Sequence, residues 1–199
     1  MLDFKDEQIK TAGAYVLLNG QFLFTLGWIP HNGNYPVVRL GGHREANETG
    51  WECAAREVAE EAGIQIRPVL PDRTYLVLAD NPDLTPKEIP WPQEIPGEVN
   101  PYLVAAYDIE TEPRLSLMYL AESNETPAPC TEVKGLLFLD EQNIQQICHE
   151  KITLGEYLKA GGRAIFSEPF DEERCLEPFI QLRILSRLLN NRRILPENS

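Results

Sequence analysis

The sequence has no apolar run long enough to cross a bilayer, and it is poor in basic residues. Its 18 lysines and arginines stand against 31 aspartates and glutamates, which gives a formal net charge of -13. Nucleic acids and anionic membranes are bound through clusters of basic side chains, so we expect neither as a partner. A small phosphorylated molecule is compatible with this charge if metal or a local Arg or Lys offsets it. Residues 1–6 contain Asp3 and Asp6 where a secretory signal carries bases, so we expect a cytoplasmic protein.

Cysteine is also scarce, and its distribution excludes several classes of site. The four cysteines form no Cys-x-x-Cys pair and no Cys/His pair at the spacing of zinc ligands; they are Cys53, Cys130, Cys148 and Cys175. We therefore expect reduced, buried or half-buried thiols. No arrangement of cysteine and histidine in the sequence supports a cysteine nucleophile.

The chain length of 199 residues fits one domain, and the apolar runs indicate a sheet. Asn19-Gly20 separates two aliphatic and aromatic runs, which predicts a hairpin with a type I′ turn. Further strands are predicted at 37–40, 75–78, 103–107 and 135–139. Helices are predicted at Asp140–His149, Thr153–Lys159 and Pro178–Asn190, with Pro178 in the first helical turn. Alternating strands and helices predict an α/β fold with a mixed sheet.

A proline-rich segment interrupts this pattern between Asn81 and Pro101. It holds six of the 16 prolines, so it can form neither a long helix nor a central strand. We interpret it as an irregular surface loop, and two roles stay open for it. It is either an inert insertion or a lid that contacts a substrate.

Residues 41–64 combine a loop with an amphipathic helix. Thr49 and Glu52 have the spacing of a capping box, and Gly63 stands where a left-handed residue ends a helix. Small and apolar residues recur every three or four positions on one face of this helix, which predicts packing against a sheet. The opposite face carries Arg56 and three acids at spacings i, i+3 and i+4, namely Glu57, Glu60 and Glu61.

Two interpretations of the three glutamates remain open at this point. Acids on an exposed helix face are ordinary, so the patch can simply be solvated. However, like charges four residues apart repel each other, and only Arg56 is a base close in sequence. Crowded carboxylates are the oxygen ligands that Mg²⁺ and Mn²⁺ prefer, which favours a divalent cation.

The same segment resembles the Nudix box, whose pattern is Gly-x₅-Glu-x₇-Arg-Glu-aliphatic-x-Glu-Glu-x-Gly-aliphatic. The chain fills every defined position, with Gly42, Glu48, Arg56, Glu57, Val58, Glu60, Glu61, Gly63 and Ile64. Two less defined positions differ: many members have Pro at position 40 and Gly at position 47, where this chain has Leu and Asn. Asn tolerates a left-handed conformation well, so we expect the loop to persist.

The resemblance implies a Nudix-like α/β/α sandwich with a mixed sheet, a core of about residues 9–150, and a helical extension of about residues 151–199. It also implies hydrolysis of a phosphate–phosphate bond in a nucleoside diphosphate linked to another moiety, with Mg²⁺ or Mn²⁺. The implied metal ligands are Glu57, Glu60, Glu61 and the Gly42 carbonyl, with Glu132 as an additional candidate.

Other roles implied by the resemblance are less closely tied to the box. Glu57, or a residue of a downstream loop, would be the general base. Arg56 would orient the glutamates and Glu48 would brace the loop against the helix. Candidate substrate contacts are Arg39, His43, Trp28 and Trp91. A homodimer is a further candidate assembly, and a Nudix-like domain that binds a nucleotide without turnover is the alternative function.

Overall fold

The computed structural model describes residues 5–27, 32–91, 98–130 and 132–190. Within them, one mixed sheet lies between helices, which confirms the predicted fold class. The strands are β1 Ile9–Leu18, β2 Gln21–Leu26, β3 Tyr35–Val38, β4 Leu40–His43, β5 Arg67–Val69, β6 Thr74–Leu78, β7 Lys87–Ile89, β8 Leu103–Tyr107, β9 Arg114–Glu122, β10 Gly135–Leu139, β11 Arg163–Phe166 and β12 Leu176–Pro178. The helices are α1 Gly50–Ala62, α2 Glu141–His149, α3 Leu154–Lys159 and α4 Ile180–Asn190, and none of them is long and apolar enough to span a membrane.

The strand order is β11-β10-β2-β1-β9-β8-β6-β7. β1 pairs in parallel with β9, and β6 pairs in parallel with β8, while most other neighbours are antiparallel. The two ends of β1 have different partners along the same edge: β2 pairs with residues 16–18 and β4 with residues 11–14. β3 pairs with β2 rather than β1, so the chain changes its partner strand between β3 and β4.

The hairpin between β1 and β2 has the predicted turn. Asn19 and Gly20 both have positive φ, of 52° and 80°, as a type I′ turn requires. The predicted strand at 37–40 is instead divided at Arg39, where the chain passes from β3 to β4. Gly41 and Gly42, expected in a loop, extend β4 because they pair with Gly13 and Ala12 of β1.

The C-terminal region contains the three predicted helices, with one boundary wrong. Pro178 is the last residue of β12 and not part of α4, which begins at Ile180. It lies opposite Val37 in a short parallel pairing with β3, a sheet-end position where a residue without an N–H is tolerated. β11 and β12 also join the sheet, so the region beyond residue 151 is not purely helical.

Two apolar layers cover the sheet. On one face, Ala54, Val58 and Ala62 of α1 pack on β1, β4 and β9, and they are fully buried. On the other face, aromatic residues such as Tyr15 pack with apolar residues of α2 and α4. The alternation along β1 assigns Ala12, Ala14 and Val16 to the α1 side. This packing fixes the helix that carries the box glutamates beside β4.

The proline-rich segment is described up to Trp91 and again from Glu98. It contains one regular element, the three-residue strand β7, which pairs with β6 at the end of the sheet. An edge position suits a segment rich in proline, because one side of the strand needs no partner. The expectation of a wholly irregular loop was therefore wrong for residues 87–89.

Candidate active site

The helix of the box has the caps that the sequence predicts. The Oγ1 atom of Thr49 accepts a hydrogen bond from the N–H of Glu52 at 3.1 Å, and Oε2 of Glu52 accepts one from the N–H of Thr49 at 2.8 Å. Gly63 ends the helix in a left-handed conformation with φ of 66°. Asn47 has φ of 67°, so the departure from glycine at this position is accommodated as expected. These local signals set the two ends of the helix.

Arg56 is the centre of the charged network in the box. Its guanidinium contacts three carboxylates: Oε1 of Glu48 at 2.6 Å, Oε1 of Glu57 at 3.0 Å and Oε2 of Glu60 at 3.1 Å. It also donates to the carbonyl oxygen of His43 at 3.0 Å. The hydrogen bond from Arg56 holds the pKa of Glu48 below its ordinary value. The network thus joins the loop before α1 to two of the three predicted metal ligands.

Glu57 lies directly against Gly42 of β4. A Cβ built on Gly42 would lie 2.6 Å from Oε2 of Glu57, and nearer still to other atoms of the carboxylate. Only glycine leaves room for this approach, since contacts that short do not occur for a real Cβ. The structure therefore places the Glu57 carboxylate in contact with Gly42. The space that they enclose suits a cation with oxygen ligands.

Glu61 occupies the next helical turn and contacts the neighbouring glycine. Its Oε2 accepts a hydrogen bond from the N–H of Gly41 at 2.8 Å. Burial raises the pKa of Glu61 to about 7; the Gly41 bond and the charge of Arg39 lower it, and Glu57 and Glu60 raise it. Removing this carboxylate from water has a cost that a bound cation would offset.

The three box glutamates are near each other but not arranged as a finished metal centre. Among residues 5–27, 32–91, 98–130 and 132–190, no three His, Cys, Asp or Glu side chains converge closely enough to hold an ion. Glu60 is exposed and turned toward Arg56, while Glu57 and Glu61 face β4. The three carboxylates offer oxygen donors, the type that Mg²⁺ and Mn²⁺ prefer. Binding of one ion by all three would require the Glu60 side chain to turn away from Arg56.

Arg39, a candidate substrate contact, lies where the predicted strand at 37–40 is divided. It is the single residue between β3 and β4, and it is 8% exposed. Its side chain lies across the paired glycines Gly13 and Gly41, and a Cβ on Gly13 would be 2.8 Å from Nη1. Nη1 is buried without a hydrogen-bond partner in the described part of the chain. Burial lowers the pKa of Arg39, and the charge of Glu61 opposes that shift.

The other candidate substrate contacts do not join the glutamates. His43 is exposed and lines a cleft of about 390 Å³ beside the box loop, together with Lys10 and Arg44. Trp91 is half-buried, packs against the apolar cluster between α1 and the sheet, and lines a separate cleft of about 540 Å³. Trp28 lies outside the described residues. Glu132 is exposed in the loop before β10.

Sequence reasoning missed one carboxylate that contacts the box helix. Glu98 accepts hydrogen bonds from the N–H groups of Gly50 at 2.7 Å and Trp51 at 3.2 Å, in the first turn of α1. No local signal reveals this contact, because 48 residues separate Glu98 from Gly50 in sequence. Only the folded chain brings the two together.

Comparisons with known proteins agree with the motif. The family model described as NUDIX domain matches residues 8–149. No curated protein matches the chain significantly. A NUDIX-family hydrolase from Clostridium perfringens is 19% identical, with a TM-score of 0.44 over 68% of this chain and 82% of its own. A NUDIX hydrolase from Nitrosomonas europaea is 16% identical, with a TM-score of 0.48 over 93% of this chain and 73% of its own.

A putative nudix hydrolase family member from Chromobacterium violaceum is 14% identical, with a TM-score of 0.43 over 98% of this chain and 85% of its own. The identities and scores of these solved structures are too low to support an assignment by themselves. The family match has greater weight, since it spans most of the chain and contains the whole box from Gly42 to Ile64. This chain therefore belongs to the NUDIX domain family and is a Nudix hydrolase.

Proposed function

We propose that the protein uses Mg²⁺ or Mn²⁺ to hydrolyse a phosphate–phosphate bond in a nucleoside diphosphate linked to another moiety. The observation that supports this most directly is the placement of Glu57 and Glu61 against the two glycines of β4, with Arg56 holding Glu57 and Glu60. A divalent cation bound there would neutralise charge on the diphosphate and lower the pKa of an attacking water.

Some residues of the box would bind the cation directly, and others would orient the residues that bind it. Glu57, Glu60, Glu61 and the Gly42 carbonyl are the proposed ligands. Arg56 positions two of these carboxylates, and Glu48 braces Arg56 from the loop before the helix. The backbone N–H of Gly41 fixes the direction of the Glu61 carboxylate. Glu57 and Glu61 are thus each oriented by a second contact, which keeps the direction of these two carboxylates from depending on free side-chain rotation.

Glu57 is the proposed general base. Its side chain is 17% exposed, so one part of the carboxylate can meet water while another part contacts Arg56. A base must reach the proton that it removes, and the Glu57 carboxylate lies against Gly42, whose carbonyl is a proposed ligand of the cation. A residue of a loop downstream of the box is the competing candidate for this role.

The substrate is proposed to be a small nucleotide-type molecule in the cytoplasm. The net charge of -13 disfavours binding of a polyanion such as nucleic acid, while a single diphosphate needs only the local cations at the box. Arg39 and His43 are the side chains proposed to contact its phosphates, and a homodimer remains a prediction about assembly.

A phosphate-release screen tests this function. Purified protein would be incubated with nucleoside diphosphate sugars, dinucleoside polyphosphates, NADH, coenzyme A and oxidised nucleotides, each with and without excess chelator. We expect release from at least one class, its loss on chelation, and its return with Mg²⁺ or Mn²⁺. Full turnover in excess chelator would contradict the metal-dependent mechanism.

A further inference from the structure

We propose that Glu98 is a positioning residue for the active site. Its carboxylate holds the first turn of α1, and through that turn it supports the network that positions the box glutamates for metal binding. The proposal rests on the proposed function, because it concerns the same cation and the same glutamates.

The contacts of Glu98 are numerous for one side chain. Oε2 accepts the N–H of Gly50 at 2.7 Å, while Oε1 accepts the N–H groups of Trp51 at 3.2 Å and Val99 at 3.1 Å. The hydroxyl of Tyr119, on β9, also donates to Oε1. Both oxygens are therefore committed to donors from three parts of the chain: the box helix, the sheet and the segment that carries Glu98.

These bonds complete the capping of α1. The first amides of a helix have no partner inside the helix. Thr49 satisfies the N–H of Glu52, and the remaining N–H groups of Gly50 and Trp51 are taken by Glu98. The amino-terminal end of a helix attracts anions through these amides and the helix dipole. Here the protein fills that position with its own carboxylate, so a substrate phosphate has to bind elsewhere.

The fit around this contact is close enough to require glycine at position 50. A Cβ on Gly50 would lie 2.9 Å from Cδ1 of Leu117 and 3.1 Å from Oε2 of Glu98, and it would overlap the Tyr119 hydroxyl. Glycine is a poor residue inside a helix, so its presence here reflects the close approach. Trp51 adds an edge-to-face contact with the ring of Tyr119, with 5.5 Å between the ring centroids. The first turn of α1, β9 and Glu98 thus pack as one unit.

A short chain of contacts connects this unit to the predicted metal ligands. Glu48 lies two residues before Gly50 and holds Arg56 through a 2.6 Å ion pair. Arg56 in turn holds Glu57 at 3.0 Å and Glu60 at 3.1 Å. If the first turn of α1 loosens, Glu48 is no longer held in reach of Arg56, and the two carboxylates lose their orientation. The effect of Glu98 on the metal is therefore indirect, through the helix.

The test compares metal binding with stability in two Glu98 variants. Glu98→Gln keeps the shape of the side chain but replaces one carboxylate oxygen with an NH₂ group. This NH₂ group would face either the N–H of Gly50 or the donors that now bind Oε1, so at least one of these donors loses its acceptor. Glu98→Ala removes all four bonds. Asp140→Ala is the matched control, because Asp140 caps α2 by accepting the N–H of Asn143 at 2.8 Å and has no contact with the box.

Mn²⁺ affinity would be measured by titration calorimetry on each purified full-length chain, at a temperature where circular dichroism shows it folded. We expect both Glu98 variants to bind Mn²⁺ about fivefold more weakly, which is the equilibrium factor for the loss of one capping interaction. Asp140→Ala should lower the midpoint of thermal unfolding and leave the Mn²⁺ affinity unchanged. Hydrogen exchange at Gly50 and Trp51 should be faster in the Glu98 variants only.

The outcomes separate the two proposals. Wild-type affinity for Mn²⁺ in Glu98→Gln and Glu98→Ala would overturn the positioning role while leaving the proposed function intact. Weaker binding in Asp140→Ala as well would also overturn it, because the effect would then be one of general stability. Failure of the wild-type protein to bind Mn²⁺ would overturn the proposed function itself. Since Glu98→Gln is isosteric, the test does not depend on whether Glu98→Ala folds.

Discussion

Glu61 accepts a hydrogen bond from the backbone N–H of Gly41, with 2.8 Å between Oε2 and the nitrogen. Four residues earlier on the same helix face, Glu57 lies against Gly42. Two successive glycines of β4 therefore meet two glutamates one helical turn apart. This pairing fixes the distance between α1 and β4, so the position of the proposed metal ligands depends on backbone as well as on side chains.

Glu57→Gln should separate chemistry from folding. The change keeps the size of the side chain and its helix propensity but removes the charge needed by a ligand or base. Glu48 and Glu60 continue to hold Arg56, so we expect the thermal midpoint to be kept. Turnover should fall by a factor of about 10² to 10⁴. Steady-state kinetics and thermal unfolding on one preparation measure both.

The control for that experiment is Glu112→Gln, which removes one charge from an exposed residue just before β9. It should leave both turnover and stability unchanged. An unchanged rate in Glu57→Gln would show that Glu57 is neither a ligand nor the base, and the search for the base would then move to a downstream loop.

Gly42→Ala should damage the site by steric overlap. The added Cβ would come within 2.6 Å of Oε2 of Glu57, so the carboxylate must move away from its position against Gly42. A displacement of about 1 Å in a catalytic group typically costs about 100-fold in rate, which is the expected loss in kcat/KM. Gly161→Ala is the control: it adds a Cβ in open space at a residue with φ of 93°, so it should reduce stability without affecting kcat/KM. Equal kinetics for Gly42→Ala and wild type would mean that Glu57 does not need this position.

Arg39→Met tests whether the guanidinium between β3 and β4 meets the substrate. Arg39 is 8% exposed and its Nη1 has no partner among the described residues, so an apolar side chain of similar length should keep or raise stability. If Arg39 donates to a phosphate, kcat/KM should fall about 10- to 100-fold, which corresponds to the free energy of a hydrogen bond to a charged group. Thermal unfolding and kinetics on the same variant measure the two effects. Unchanged kinetics would limit Arg39 to packing across Gly13 and Gly41.

The box and its helix were predictable because their signals are local. A capping box, a terminal glycine and i, i+3, i+4 spacing all lie within one short segment, and the structure has each of them at the predicted residues. The hairpin at Asn19-Gly20 was predictable for the same reason. The partners of Arg56 follow largely from helix geometry, since Glu60 lies four residues away on the same face.

Features that depend on distant parts of the chain were not predictable. The strand β9 is a central neighbour of β1, but its run of buried residues has no alternation that would mark it as a strand. Arg39 lies inside the predicted strand at 37–40, yet the strand is divided there because the chain changes its partner strand, and Arg39 is buried across Gly13 and Gly41. Pro178 suits a helix start by local rules, and pairing with β3 overrides them. The contact of Glu98 with α1 is of the same kind.

Trp91→Ala decides between a substrate contact and a packing role for the proline-rich segment. In the described structure Trp91 packs against the apolar cluster between α1 and the sheet. It is half-buried and lines a cleft to which none of the box glutamates contributes. We therefore expect a packing role rather than a direct contact with a substrate held at Gly42. We expect the variant to lose about 1–3 kcal/mol of unfolding free energy, less than for a fully buried aromatic residue.

The change in kcat/KM of Trp91→Ala for substrates with a flat base should match the change for simple diphosphates. Denaturant unfolding and kinetics on one preparation give both quantities. A selective loss of about 1–3 kcal/mol in binding of base-containing substrates, with stability unchanged, would instead show base stacking on Trp91.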